Sequence, residues 1–296
     1  MINKSGVALL LAALLLPISV ALPATTNNDR DSNSDNDKEQ NANEFVRKVL
    51  TNEVSAEAQD HSHWMCRVET NTSHGKEVDD VAETRFGDLK RRILLNGHPL
   101  TAEQKREDEE RIRKFVDDPS ALQSSMKKEN EDEDQSQKML KMLPDALIYR
   151  FVKRRGDVVE LHFTSNPNFH PPSREAEVFQ ALEGNMWVNR RQLRLIELTG
   201  HLNREVKFGD GLLGHLNQGG EFHVKQAEVA PGYWELTLLN VNMVGKALFF
   251  KTISVQQHMS RTAFHKISDD LTVAQAADLL QKRAAVAQSA RPKSGQ

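Results

Sequence analysis

Apolar positions recur along this chain with changing periods, and each period predicts a different element. In Glu44-Phe45-Val46-Arg47-Lys48-Val49-Leu50 the residues Phe45, Val46, Val49 and Leu50 fall on one helical stripe, with Asn43 as its cap. From His63 the period drops to two: Trp64, Cys66 and Val68 take one face of a strand, and Met65, Arg67 and Glu69 the other. A turn at Ser73-His74-Gly75-Lys76, strands around Glu77–Phe86 and Leu89–Leu95, and Asn96-Gly97 complete a meander. Thr101 and Gln104 then form a capping box that opens a helix, which Asp117-Asp118-Pro119 ends. Its apolar stripe (Ile112, Phe115, Val116) is thin, so the helix lies on a surface rather than inside one. The polar stretch Lys127 to Lys138 reads as a mobile loop. Met139, Leu140, Met142 and Leu143 read as a short helix stopped by Pro144.

The remainder alternates as sheet. Strands are predicted at Ala146–Arg154 and Val158–Thr164, joined by Arg155-Gly156-Asp157, and Asn166–Pro172 is an irregular loop. Further strands fit Leu182–Asn189, Leu193–Leu202, Glu205–Phe208, Glu221–Val229, Tyr233–Met243 and Ala247–Gln256. Thr272 caps a final helix bearing Val273, Ala276, Ala277 and Leu280. Short strands joined by tight turns, with helices at the start, in one insertion and at the end, give an α+β fold. The expectation is a large curved antiparallel sheet, an incomplete β-barrel, with a few helices covering one face.

Composition adds compartment and organisation. Lys4, the apolar run Val7–Leu16, Pro17 and Ser19-Val20-Ala21 have the form of a cleavable signal peptide, too short for a bilayer span. The expected divisions are a signal peptide at 1–21, a disordered Asn/Asp/Ser-rich leader at 22–43, a sheet domain at 44–260 with a charged helical insertion at 101–143, and a C-terminal helix and tail at 261–296. Export and the absence of a cysteine at the exit point to a periplasmic protein that is not a lipoprotein. Cys66 is the single cysteine, so no internal disulfide forms, and a hydrophobic content of 38% must supply a conventional core. A net charge of −3 with both signs interspersed gives no footprint for nucleic acid.

Two strands break the rule of one wet face and one dry face. Trp234, Leu236 and Leu238 share one face by strict alternation, while Leu239, Val241 and Met243 take the other; Ala247–Ile253 is likewise apolar on both. Either a bulge switches the register near Leu238, or both faces of the sheet are covered. An ordinary core accounts for such residues. A hydrophobic cradle for acyl chains also does, at about 0.8 kcal/mol per buried methylene. The candidate lining is Trp187, Leu193, Leu195, Phe222, Trp234, Leu236, Leu238 and Phe249, with Phe115, Leu140 and Leu143 as lid contacts.

The segment Gly184-Asn185-Met186-Trp187-Val188-Asn189 leads into the basic-apolar strand Arg194-Leu195-Ile196-Glu197. Val206–Gly211, Gly219-Gly220-Glu221-Phe222, Pro231–Trp234 and Gly245–Lys251 follow. Together with Asn96–Glu103, this cadence resembles the periplasmic outer-membrane lipoprotein carriers, the LolA/LolB-like superfamily, over roughly residues 45–260. The resemblance implies a half-barrel with helices at its mouth and an apolar cavity. The partners implied are a lipid or acylated lipoprotein and a membrane-bound donor or acceptor protein. The charged insertion departs from a compact carrier, which leaves a lipid-binding relative as the expectation. The alternative is a non-catalytic protein-interaction scaffold of the cell envelope.

Candidate chemistry is sparse. His61, His63 and Cys66 are metal-ligand types, but in a regular strand Cys66 leaves the face of the two histidines, and no second cluster supports a site. The acidic run Glu129 to Asp134 lacks an EF-hand loop. There is no G-x-S-x-G, H-E-x-x-H, P-loop or C-x-x-C. Neither an enzyme activity nor a metal or cofactor is expected.

Overall fold

The stripe around Phe45 belongs to a longer helix than the cap at Asn43 predicts. In the structure, a computed structural model that describes residues 35–73, 75–208, 214–247 and 251–289, α1 spans Asp35–Gln59. Asn43 lies inside it because its amide is used elsewhere. It donates to the carbonyls of Pro144 and Leu147 at 2.8 and 2.7 Å and accepts from the Tyr149 N–H at 2.9 Å. The expected leader therefore loses residues 35–43 to the helix; its earlier part and the signal peptide lie outside the described residues.

The meander forms as β1 (His63–Thr72), β2 (Gly75–Thr84), β3 (Gly87–Leu95) and β4 (His98–Pro99), paired antiparallel in turn. Thr101 caps α2 (Ala102–Asp117) with the reciprocal bonds expected. α3 (Pro119–Ser125) and α4 (Lys127–Ala146) follow. The polar stretch predicted as a loop is thus helical, in keeping with its Lys, Glu and Gln, which are good helix formers. Pro144 does not stop α4, because in the last turn few hydrogen bonds remain for it to break.

The other strands are β5 (Leu147–Arg155), β6 (Val158–Ser165), β7 (Leu182–Asn189), β8 (Arg194–Leu202), β9 (Val206–Phe208), β10 (Gly214–Leu216), β11 (Glu221–Ala230), β12 (Tyr233–Ala247) and β13 (Lys251–Ile267). A 3-10 helix at Glu175–Ala181 precedes β7, and α5 (Val273–Ser289) closes the chain behind a Thr272–Gln275 capping box. The thirteen strands make one open antiparallel sheet. Its order is β4-β3-β2-β1-β13-β12-β11-β8-β7-β6-β5, with β10 paired to β12 and β9. The class is α+β, and among the described residues no helix is long and apolar enough to cross a membrane.

The chain packs as two compact units where the sequence predicts one domain over 44–260. Among the described residues, the first takes 60–131 and 258–289, and the second takes 35–59 and 132–257. In the first unit α5 packs on β2 and β3 and α2 on β3, around Met65, Leu89, Ile112, Leu122 and Leu280. In the second, α1 packs on β5 and β8, burying Val46, Val49 and Leu50.

Register decides which side chains share the buried side of this sheet. Leu161, Met186, Leu198, Val224 and Leu239 form one buried row across β6, β7, β8, β11 and β12. The next row is Phe163, Gly184, Gly200, Phe222 and Val241. Here the glycines make room for rings: a Cβ on Gly200 would lie 2.6 Å from the Phe222 ring, and one on Gly184 2.7 Å from that of Phe163. On β12 the pairing jumps from Lys225–Leu238 to Gln226–Leu236, so Thr237 is a bulged residue. The two-faced appearance of this strand comes from that bulge. Trp234 and Leu236 are buried on the same side as Leu239, Val241 and Met243.

Candidate functional site

The residues expected to line a cradle do not come together as one surface. Leu195, Phe222, Trp234 and Leu236 are buried on the inner side of the second unit. This side is occupied by the protein itself. α1 reaches it with Glu53, only 1% exposed, whose Oε1 accepts from the Leu195 N–H at 2.5 Å and from Arg194 Nε at 3.1 Å. The Arg194 guanidinium lies 5.6 Å from the centre of the Trp234 ring. Asn52 adds bonds to the carbonyls of Gln192 and Leu193 at 3.2 and 3.1 Å, and Arg47 pairs with Asp145 at 2.7 Å. Burial raises the Glu53 carboxyl above its ordinary value, against the pull of Arg194 and of the Leu195 N–H. A helix held at Asn43, Arg47, Asn52 and Glu53 is a fixed layer of the fold.

The other candidates lie elsewhere. Trp187 and Leu238 are half-buried in a row with Glu160, Glu197 and Lys225, on the opposite face from Leu195. An unpaired Ile196 on β8 and the Thr237 bulge produce this change of side. Leu193 sits at the β7–β8 turn with φ of 51°, its carbonyl taken by Asn52. Phe249 lies outside the described residues. Among the lid candidates, Leu140 and Leu143 are core residues of the second unit, and Phe115 packs against the core of the first.

His61 and His63 form no metal cluster with Cys66, and no group of three metal-ligand side chains is found among the described residues. The Cys66 thiol is buried and pushed up to about 11 by that burial, which makes it an inert core group.

A groove that the strand pattern does not announce lies at the end of the second unit's sheet. It has a volume of about 470 Å³, with a floor of Phe45, Phe151, Val152 and Val159 and a rim of Lys153, Arg154 and Arg190. β5 is the terminal strand of the sheet order. Its pairing runs from Phe151–Leu161 to Lys153–Glu160, so Val152 is a bulged residue and turns outward. Phe151 and Val152 are 49% and 56% exposed, and Val158, just past the turn, is 36% exposed. The Phe45 and Phe151 rings meet at 5.7 Å between centroids, so α1 and β5 form the floor jointly. Gly156, with φ of 58°, makes the tight turn between β5 and β6. The Arg190 N–H donates to the Asp157 carbonyl at 2.8 Å and fixes the β7–β8 turn beside that hairpin.

The sequence signal for this groove is Phe151-Val152-Lys153-Arg154-Arg155, in which two adjacent apolar residues break the alternation and a basic run follows. An edge strand is commonly protected by cations and a bulge, and both are present here. Protection does not account for two large apolar side chains left in solvent beside a third. The arrangement has apolar area and positive charge and no nucleophile–base pair within it, so it is suited to binding an amphipathic anion.

Comparison with known proteins adds little. No family model matches the sequence, and no curated protein matches it. Among solved structures the chain is similar to a DUF1329 family protein from Desulfovibrio piger ATCC 29098, at 10% identity and a TM-score of 0.25. The likeness covers 80% of this chain and 99% of that one, and at that score it carries no argument.

Proposed function

We propose that this protein is a non-catalytic lipid- or lipoprotein-binding protein of the periplasm that holds an acyl chain in the groove between α1 and β5. The observation that carries this reading is the open apolar floor of Phe45, Phe151, Val152 and Val159 with Lys153, Arg154 and Arg190 at its rim. Apolar walls lower the free energy of a chain by about 0.8 kcal/mol per methylene buried, and cations at the mouth favour an anionic head. The site differs from the lining expected from alternation, since Leu195, Phe222 and Leu236 are already covered. A membrane-bound donor or acceptor remains the partner class for such a binder.

The scaffold reading is supported by one feature of its own. β5 ends the strand order, and a terminal strand offers backbone groups to an added strand. The two readings separate in native mass spectrometry of protein purified from cell envelope without detergent. Acyl-bearing adducts that disappear in Phe151→Asp support the groove, because that side chain is half exposed and its loss leaves the fold intact. A clean apo mass that persists after incubation with lipid vesicles contradicts it and leaves the scaffold reading in place.

A further inference from the structure

The hairpin that builds the groove continues past it: Val152, Lys153, Arg154 and Arg190 line the groove, and Arg155, Arg191 and Val158 lie beyond it. Arg150, Lys153, Arg154 and Arg155 lie on β5, with Arg190 and Arg191 at the neighbouring turn. Arg150 has a partner of its own; among the described residues the other five cations face Asp157, 3.7 Å from Arg191, and Glu160. The whole chain has a net charge of −3, so this end has the opposite sign from the protein that carries it. At the hairpin end Val158 pairs in register with Arg155, and the bulged Val152 is exposed farther along β5. All nine residues from Arg150 to Val158 are exposed.

From this we infer that the β5–β6 hairpin and the adjacent β7–β8 turn dock the protein on an anionic phospholipid surface, with Val152 and Val158 entering the interface and the arginines on the headgroups. The inference rests on the groove reading above and names the surface from which an acyl chain would be taken. Charge complementarity selects this occupant. A net-negative protein is repelled as a whole by an anionic bilayer, so attachment must be made by this one end, which fixes orientation. An acidic protein segment would satisfy the cations but leaves no reason for apolar groups projecting at the hairpin tip, whereas a bilayer interface satisfies both. Each cation near such a surface strengthens partitioning by about fivefold, and the effect weakens as salt shortens the Debye length.

The test is co-sedimentation of the full exported chain with vesicles of phosphatidylcholine alone or with a substantial fraction of phosphatidylglycerol, over a salt series. The expected result is retention on the anionic vesicles at low salt, falling as salt rises, and little retention on the neutral ones. Arg155→Gln with Arg191→Gln, neither of which lines the groove, should weaken retention about twentyfold. Val158→Asp should abolish it while the melting temperature holds. Equal retention on both vesicle types, or undiminished retention of the double variant, overturns the inference. So does capture of acidic peptides with no vesicle binding. Acyl adducts measured on the same variants keep the two claims apart. Adducts kept while vesicle binding is lost support docking, and vesicle binding without adducts refutes the groove reading alone.

Discussion

The two units bury charge differently. In the first, Asp80 is fully buried and accepts both Arg67 bonds at 2.9 Å, with Arg283 of α5 at 3.5 Å; Glu83 accepts from Arg261 at 3.0 Å and from the Trp64 N–H at 2.9 Å. At the margin of the same sheet Arg92 spans Asp79 and Glu77, each at 2.6 Å. The second unit buries fewer carboxylates, Glu53, which anchors α1 through Arg194, and Glu235 on β12, with Gln226 among the inner apolar residues, and its large exposed apolar side chains, Phe151, Val152 and Val158, gather at one end. Buried pairs specify where helices sit without adding much stability, because desolvation offsets the attraction. The first unit is thereby a fixed framework, and the second leaves apolar surface exposed at one end.

Substitutions break this comparison to different degrees. Glu83→Gln removes the buried carboxylate that accepts from Arg261 at 3.0 Å and should cost about 3 kcal/mol in urea denaturation. In the second unit the corresponding sensitivity is to volume. Gly200→Ala forces a Cβ against the Phe222 ring and should cost about 2 kcal/mol by the same measurement; a neutral result would mean that the inner face has room to spare.

Glu53→Gln should cost about 2 kcal/mol and, more informatively, flatten a pH dependence. Burial raises the folded-state value of Glu53, so the native state holds this proton more tightly than the unfolded chain. Its contribution to stability is full below the ordinary carboxylate value of 4.5 and is lost as pH rises through the raised folded value. Asp79 is raised in the same direction by burial, so the slope should shrink in Glu53→Gln and persist in part. Tyr149→Phe should stabilise by about 1 kcal/mol in thermal melts, since its hydroxyl is buried with no hydrogen-bond partner among the described residues. Phe151→Asp sits at the bottom of the scale for stability, within about 0.5 kcal/mol, and at the top for binding.

Most strands were legible because their alternation is regular: Leu182–Asn189 is β7 to the residue, and β1, β3, β8 and β11 start or end within two residues of the expectation. The Thr101–Gln104 capping box and the Thr272 cap follow from the sequence, and Gln275 turns the second into a box in the structure. What escaped has physical reasons. The first turns of α1 and much of α4 are polar, so they carry no apolar stripe to announce a helix. The lining set was assigned by strict alternation, and bulges move side chains across the sheet. Thr237 brings Trp234 and Leu236 to the side of Leu239, and unpaired Ile196 separates Trp187 from Leu195. The groove escaped because its floor joins Phe45 to Phe151, residues remote in sequence, through a bulge at Val152 that local pattern does not place.

The most direct test of a covered inner face with an open groove at its β5 margin is photolabelling. The protein is irradiated with a fatty acid carrying a diazirine in its chain, and the labelled residues are mapped by peptide mass spectrometry. The account predicts label on Phe45, Phe151, Val152 and their neighbours around Arg190, lost in Phe151→Asp. Label concentrated on Leu195, Phe222 or Leu236, on the buried inner side, would contradict it.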